Sequence, residues 1–210
     1  MLAPAVETEI ASLAARYGQP RRVTAELDGW QFSPLTMEDR YGEVCMVVRR
    51  PNGRIITAKK AFYPAGAFRL LTGGVDHGEP IADALLREVA EETGLDVVVR
   101  SFMAVIEYRS REIGDAGCGM VSPSPIPHPF ATFAFLLDEI GGTLHAHDPG
   151  EQIEAFRELE LAELPGLAET LESLPDLVDP EIDGSWRDWG RYRAVGHRVI
   201  YQALSESSKQ

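Results

Sequence analysis

Gly73-Gly74-Val75-Asp76-His77-Gly78-Glu79-Pro80, then Ile81-Ala82-Asp83-Ala84-Leu85-Leu86, then Arg87-Glu88-Val89-Ala90-Glu91-Glu92-Thr93-Gly94-Leu95 is the stretch that decides how this 210-residue chain is read. Pro80 suits a first helical position, where its missing N–H would be unpaired anyway, and Glu79 suits the positive helix start. No glycine interrupts Pro80 to Thr93, and Gly94 supplies the stop. The pattern predicts a helix over about 80–93. At 100° per residue, Glu88, Glu91 and Glu92 share one arc, with Leu85, Leu86 and Val89 on the adjoining, core-facing arc. Glu88 and Glu92 repel each other at i,i+4, a cost that a divalent cation removes. Clustered carboxylates with a glycine-rich loop at Gly73-Gly74 are donors for a hard, oxygen-seeking ion such as Mg2+. Such an ion neutralises phosphate charge and activates water.

The spacing Gly-x5-Glu-x7-Arg-Glu-apolar-x-Glu-Glu-x-Gly-apolar fills all seven fixed identities, a coincidence expected on the order of 10^-7 times by chance. It resembles the box of the Nudix hydrolases, and that resemblance implies an α/β fold: an α/β/α sandwich around a mixed β-sheet. It also implies Mg2+ or Mn2+ as cofactor. By the same resemblance Glu91 and Glu92 bind metal, Glu88 is a ligand or the base, and Arg87 orients these acids. Glu79 is tied to the helix or to metal-bound water, and a backbone carbonyl of Thr72 or Gly73 adds a ligand. One further catalytic acid is expected from a later strand, at Glu154 with Glu151 as its rival. Thr72 stands where many relatives have proline, and Leu161-Ala162-Glu163-Leu164-Pro165 is similar to the usual start of the late helix.

The remaining sequence is consistent with one domain spanning 1–210, with an N-terminal extension (1–30) and C-terminal helices (160–205). Mean hydropathy is -0.14 and the net charge -13. That charge argues against duplex nucleic acid or an anionic membrane as partner. No stretch reaches the length of a membrane span, and Glu7 and Glu9 make the start unlike a secretory signal, so a cytoplasmic location is expected. Cys45 reads as a small core residue and Cys118 as a loop thiol, without disulfide or zinc spacing. His145 and His147 read as surface residues.

Residues 4–17 are patterned as an amphipathic helix, Arg22 to Trp30 as a strand, and Val44–Arg50 and Arg54–Lys59 as a hairpin closed by a tight primed turn at Asn52-Gly53. Strands are expected over about 68–71, 96–108, 130–137 and 153–159, and a helix over 162–173. Ser185 with Asp188 has the spacing of a capping box, and Trp186, Trp189, Tyr192, Val199 and Leu204 form a core stripe on the last helix. Residues 109–129, rich in glycine and proline, read as a mobile flap over substrate.

The resemblance implies a small-molecule nucleoside diphosphate derivative as substrate. The added marks of NADH, coenzyme A and diadenosine polyphosphate enzymes are absent, and the proline expected in ADP-ribose enzymes falls on Ser110. The size favours a nucleotide sugar or ADP-ribose-like substrate over a nucleoside triphosphate, with Arg69, Arg109 and Arg111 as candidate phosphate contacts. A ligand sensor on the same scaffold and an isopentenyl diphosphate isomerase are the rival readings. The isomerase reading needs a catalytic cysteine and metal-binding histidines, and no suitable set is visible in this sequence. A homodimer is expected from the resemblance alone.

Overall fold

The computed structural model describes residues 2–27, 38–110 and 130–207. Helix α1 (Pro4–Tyr17) leads into strand β1 (Arg21–Leu27); β2 (Arg40–Arg49), β3 (Ile55–Lys60) and β4 (Arg69–Asp76) follow. Then come helix α2 (Ile81–Thr93), β5 (Leu95–Ser110), β6 (Ala131–Gly142), β7 (Ile153–Leu159) and α3 (Leu164–Glu172). A two-stranded hairpin, β8 (Val178–Asp179) with β9 (Gly184–Ser185), precedes the last helix, α4 (Trp186–Ser207).

Seven strands form one mixed sheet in the order β1-β5-β6-β2-β4-β3-β7. Successive side chains on a strand point to opposite faces, and β2 shows the result. Val44, Met46 and Val48 pack under α1 and α2 with Ile10, Leu13, Leu85 and Val89. Cys45 and Val47 pack on the other face with Leu167 and Leu171 of α3 and Trp186 and Trp189 of α4. The α/β/α sandwich is therefore explicit in the core, with two helices on each side. Gly190 sets the fit of α3 on α4, because a Cβ there would lie 2.1 Å from the Leu171 carbonyl oxygen.

Three local expectations are corrected. The β2–β3 hairpin pairs only at Arg49 and Ile55; beyond that the strands part and β4 inserts between them, Met46 against Leu71 and Thr57 against Leu70. Its turn is not primed. The Gly53 amide donates to the Arg50 carbonyl, and Gly53 (φ 83°), not Asn52, takes the left-handed conformation. Pro51 fixes a negative φ where a primed turn needs a positive one. Gly73 and Gly74 lie inside β4, paired with Val44 and Glu43, and the loop before the helix is the short segment after Asp76. The strand at the N-terminus ends at Leu27, so the rest of the Arg22–Trp30 expectation lies outside the described residues, as do Cys118 and the flap beyond Ser110.

Among the described residues no helix is long and apolar enough to cross a membrane.

Candidate active site

Helix α2 begins one residue later than expected, with Pro80 extended at the N-cap, and ends at Gly94 in the left-handed conformation. Its buried positions are Ile81, Ala84, Leu85, Glu88, Val89, Glu92 and Thr93. Glu88 and Glu92 stand seven and eleven residues after Ile81, about 20° to either side of its direction. The two acids therefore occupy the core-facing stripe itself, not an arc beside it. Leu86, expected in the core, is instead 54 % exposed, and Glu91 lies at the accessible edge.

Arg87 organises these acids. Its Nε and Nη2 donate to the two Glu79 oxygens at 2.8 and 2.9 Å, and Nη1 donates to Glu88 at 2.8 Å and Glu91 at 3.1 Å. Nη2 also reaches the Gly74 carbonyl at 3.1 Å, tying helix to strand. The paired fork of bonds from Arg87 holds the Glu79 carboxyl below its usual range. Burial pushes Glu88 up despite Arg87. The Glu88 carboxyl lies flat against Gly73: a Cβ there would be 1.9 Å from its Cδ, so β4 needs a residue without a side chain at this position.

Glu92 is 1 % exposed, and neither of its oxygens has a hydrogen-bond partner among the described residues. Its nearest cation is the Arg69 guanidinium at 3.6 Å. Burial outweighs that attraction and pushes the Glu92 carboxyl up to about 8. Arg69, expected to touch phosphate, is buried and engaged: it donates to the Tyr63 hydroxyl at 3.0 Å and to the Leu70 carbonyl at 2.9 Å. It nevertheless lines the cavity.

That cavity, about 480 Å³, opens between β4 and the β8–β9 hairpin. Gly73, Gly74, Arg87 and Glu88 line it from the box; Glu91 and Glu92 do not. Glu151 lines it too, held by Lys60 at 3.0 Å, whereas Glu154 lies outside, half-exposed and bound to Lys59 at 2.6 Å. Lys59 and Lys60, adjacent on β3, point to opposite faces, and each takes the acid on its own side. Arg109 is exposed at the far end of β5, opposite Glu26, and does not line the cavity. Arg111 lies outside the described residues.

Other cavity residues carried no sequence signal. Arg40 (β2) lays its guanidinium across Gly74, where a Cβ would meet Nη1 at 2.8 Å. Glu43 accepts from Arg193 of α4 at 2.7 Å and from Thr132 at 2.9 Å. Trp186 and Trp189 are buried, edge-to-face with Tyr63 at 5.7 and 4.7 Å, which is the core role expected of them. Ser185 accepts from the Arg187 amide, but Asp188 pairs with Arg187 in place of completing a capping box.

The donor set suits a hard divalent ion: three carboxylates, the strand carbonyls around Gly73, and two buried Glu92 oxygens with nothing to bond. Arg87 bridges Glu79, Glu88 and Glu91 while Arg69 faces Glu92, and among the described residues no three acidic, histidine or cysteine side chains converge as a ready metal cluster.

The NUDIX domain pattern matches residues 40–178, the segment that carries all of these box residues. The chain belongs to the NUDIX domain family. Among curated NUDIX-type relatives it is 32 % identical to an ADP-ribose pyrophosphatase of Methanocaldococcus jannaschii, over 58 % of this chain and 63 % of that protein. It is 30 % identical to the NAD-capped RNA hydrolase NudC of Photorhabdus laumondii, over 53 % and 37 %. The chain thus spans less than two thirds of each curated relative. Solved structures similar to it include an ADP-ribose pyrophosphatase from Streptococcus suis, 16 % identical with a TM-score of 0.44, covering 78 % of this chain and 90 % of that one. The ORF135 protein of E. coli is 23 % identical with a TM-score of 0.45, covering 61 % and 79 %.

Proposed function

We propose that this NUDIX protein hydrolyses the phosphoanhydride bond of a nucleoside diphosphate linked to a second group, with an ADP-ribose-like compound as the leading substrate class. The observation that carries the reading is the Arg87 hub. One guanidinium holds Glu79, Glu88 and Glu91 together and bonds the Gly74 carbonyl at the edge of a cavity whose floor also presents Arg40 and Lys60. The 32 % identity to an ADP-ribose pyrophosphatase supports the substrate class.

Mg2+ or Mn2+ would be held by Glu88, Glu91, Glu92 and the Gly73 carbonyl, and would supply charge neutralisation on the diphosphate and an acidified water. The chain's own groups do the rest. Arg87 fixes the acids, Glu88 is the box acid that faces the cavity and takes the proton of the attacking water, and Glu151, which lines the cavity, is the favoured candidate for the outside acid over Glu154. Arg40 and Lys60 attract the anionic substrate into an otherwise acidic cleft. A cytoplasmic, homodimeric enzyme completes the reading.

The test is a panel of nucleoside diphosphate derivatives and triphosphates with Mg2+ or Mn2+, read as phosphate release after phosphatase coupling. Turnover of the diphosphate derivatives is expected, with Glu88→Gln and Glu91→Gln each lower by at least about 100-fold at unchanged thermal stability. Glu151→Gln should lose at least about tenfold and Glu154→Gln less than about twofold. Normal turnover in both box variants would remove the site assignment; equal losses at Glu151 and Glu154 would remove the choice between them. Glu92→Gln is a poor probe, because it strips Arg69 of its buried counter-charge.

A further inference from the structure

We propose that Arg193, on the last helix and beyond residue 178 where the family match ends, is a substrate-phosphate contact that works with Arg40 as a two-arginine clamp. The inference deepens the hydrolase reading and rests on it for the identity of the ligand.

On β4, Leu70 belongs to the core under α3 and α4, and Leu71 and Val75 to the core under α1 and α2. By alternation Thr72 and Gly74 face the α4 side, and Gly73 faces α2, where Glu88 packs against it. Arg193 donates from Nη1 to the Thr72 hydroxyl at 2.9 Å, and Arg40 lies across Gly74. Two guanidinium groups thus sit on one face, anchored at strand positions i and i+2, which are roughly 7 Å apart. That span matches the reach of a diphosphate, and the residue between the anchors is the glycine of the box.

The chemistry of Arg193 says the same. Its side chain is nine-tenths buried, at 10 % exposure, and still lines the cavity. Of its five N–H donors, those of Nη1 serve Glu43 and Thr72, while the buried Nε has no hydrogen-bond partner among the described residues. A cation needed only to balance Glu43 would use the partners it has, and an ion pair so deeply buried is no stability gain over apolar side chains of the same volume. Arg193 thus lines the cavity with a guanidinium that Glu43 and Thr72 do not fully use, as a side chain placed for a ligand would be. The rings of Trp189 and Tyr192, 5.8 and 4.8 Å from its central carbon, fix its position. Glu43 balances the charge of the arginine. Its Oε1 accepts from Thr132, which in turn meets the Tyr108 hydroxyl at 3.0 Å, so the acid is anchored by β5 and β6.

The experiment separates clamp from structural ion pair. Arg193→Lys and Glu43→Gln both break the same buried pair, but only the first changes the group offered to phosphate. Calorimetric Kd values for ADP and for adenosine, without metal, are measured on wild type, both variants and Arg40→Gln, each checked by thermal unfolding. The expected result is an ADP affinity about tenfold or more weaker in Arg193→Lys and Arg40→Gln, near wild type in Glu43→Gln, and no change for adenosine in any of them. Equal ADP losses in Arg193→Lys and Glu43→Gln would overturn the inference, as would wild-type ADP affinity in Arg193→Lys or a wild type that binds no ADP. If Arg193→Lys does not fold, Arg40→Gln decides: unchanged ADP affinity there overturns the clamp. Because binding is read apart from turnover, a protein that binds ADP through these arginines but cleaves nothing in the substrate panel would sink the hydrolase reading and leave the clamp standing.

Discussion

Replacing Gly73 by alanine puts the packing of helix on strand under direct strain. The new Cβ would lie 1.9 Å from Glu88 Cδ, 2.0 Å from Oε2 and 2.2 Å from Cγ, against the roughly 3.5–4.0 Å of ordinary carbon contacts. The carboxyl must retreat by about 1.5 Å or more, yet it is tied to Arg87 at 2.8 Å, and Arg87 is tied to Glu79 and the Gly74 carbonyl. The overlap cannot be relieved by one rotamer change. Overpacking of this kind costs about 1–3 kcal/mol, and a chain of this size loses about 2–4 °C per kcal/mol. A Tm lower by roughly 2–12 °C is expected, with turnover down about 100-fold or more because an acid has moved by an ångström. Gly74→Ala is the internal control for stability alone, since its Cβ meets only the flexible end of Arg40 at 2.8 Å. Scanning calorimetry and steady-state turnover on Gly73→Ala, Glu88→Ala and the double variant complete the cycle. The double variant should be more stable than the two single losses sum to. Gly73→Ala with wild-type Tm and turnover would refute the packing argument.

Two further outcomes follow from buried polar groups. Arg69→Met removes the nearest cation to Glu92 among the described residues and should cost about 3–5 kcal/mol in chemical denaturation; a loss under about 1 kcal/mol would show that the pair is not what holds Glu92 in place. His197 is buried, its Nδ1 on the Arg193 carbonyl and its Nε2 accepting from the Leu70 amide, and burial holds its pKa down to about 4 from the ordinary 6.5. A depressed histidine contributes stability that is complete above pH 6.5 and is lost as pH falls toward 4. The loss amounts to roughly 3 kcal/mol at most. Unfolding free energies between pH 7 and 4.5 should therefore fall less steeply in His197→Gln than in wild type, and identical slopes would contradict the assignment.

Periodicity and punctuation made much of this fold readable. The α2 helix, its Gly94 stop, the long β5 strand and the Pro4–Tyr17 helix all follow from local pattern. What local pattern cannot carry is which strand fills a gap. Arg50-Pro51-Asn52-Gly53 announces a turn, but nothing in it says that β4 will separate the two strands it joins. The same limit hid the charges. Arg69 reads in the sequence as a candidate phosphate contact because its partner, Glu92, is brought to it only by the packing of α2 on β4. Glu43 and Arg193 are 150 residues apart and became visible only as a pair. Glu154 and Glu151 stayed unranked for a smaller reason: an acid on a strand and one in the 3-10 turn before it cannot be placed relative to the cavity until the facing lysines are known.

The insertion of β4 has a consequence for how the protein breathes. A strand flanked on both sides cannot peel away as an edge would, and its amides are released only when neighbours on each side let go together. The hydrogens on Leu70 and Leu71, at the stretch where β3 and β2 border β4, should consequently trade with deuterated solvent at the pace of whole-molecule opening, while those on the outer strand β7 escape much sooner. The chemistry would then sit next to the stiffest part of the sheet, and whatever movement admits substrate must come from the surrounding side chains and connections.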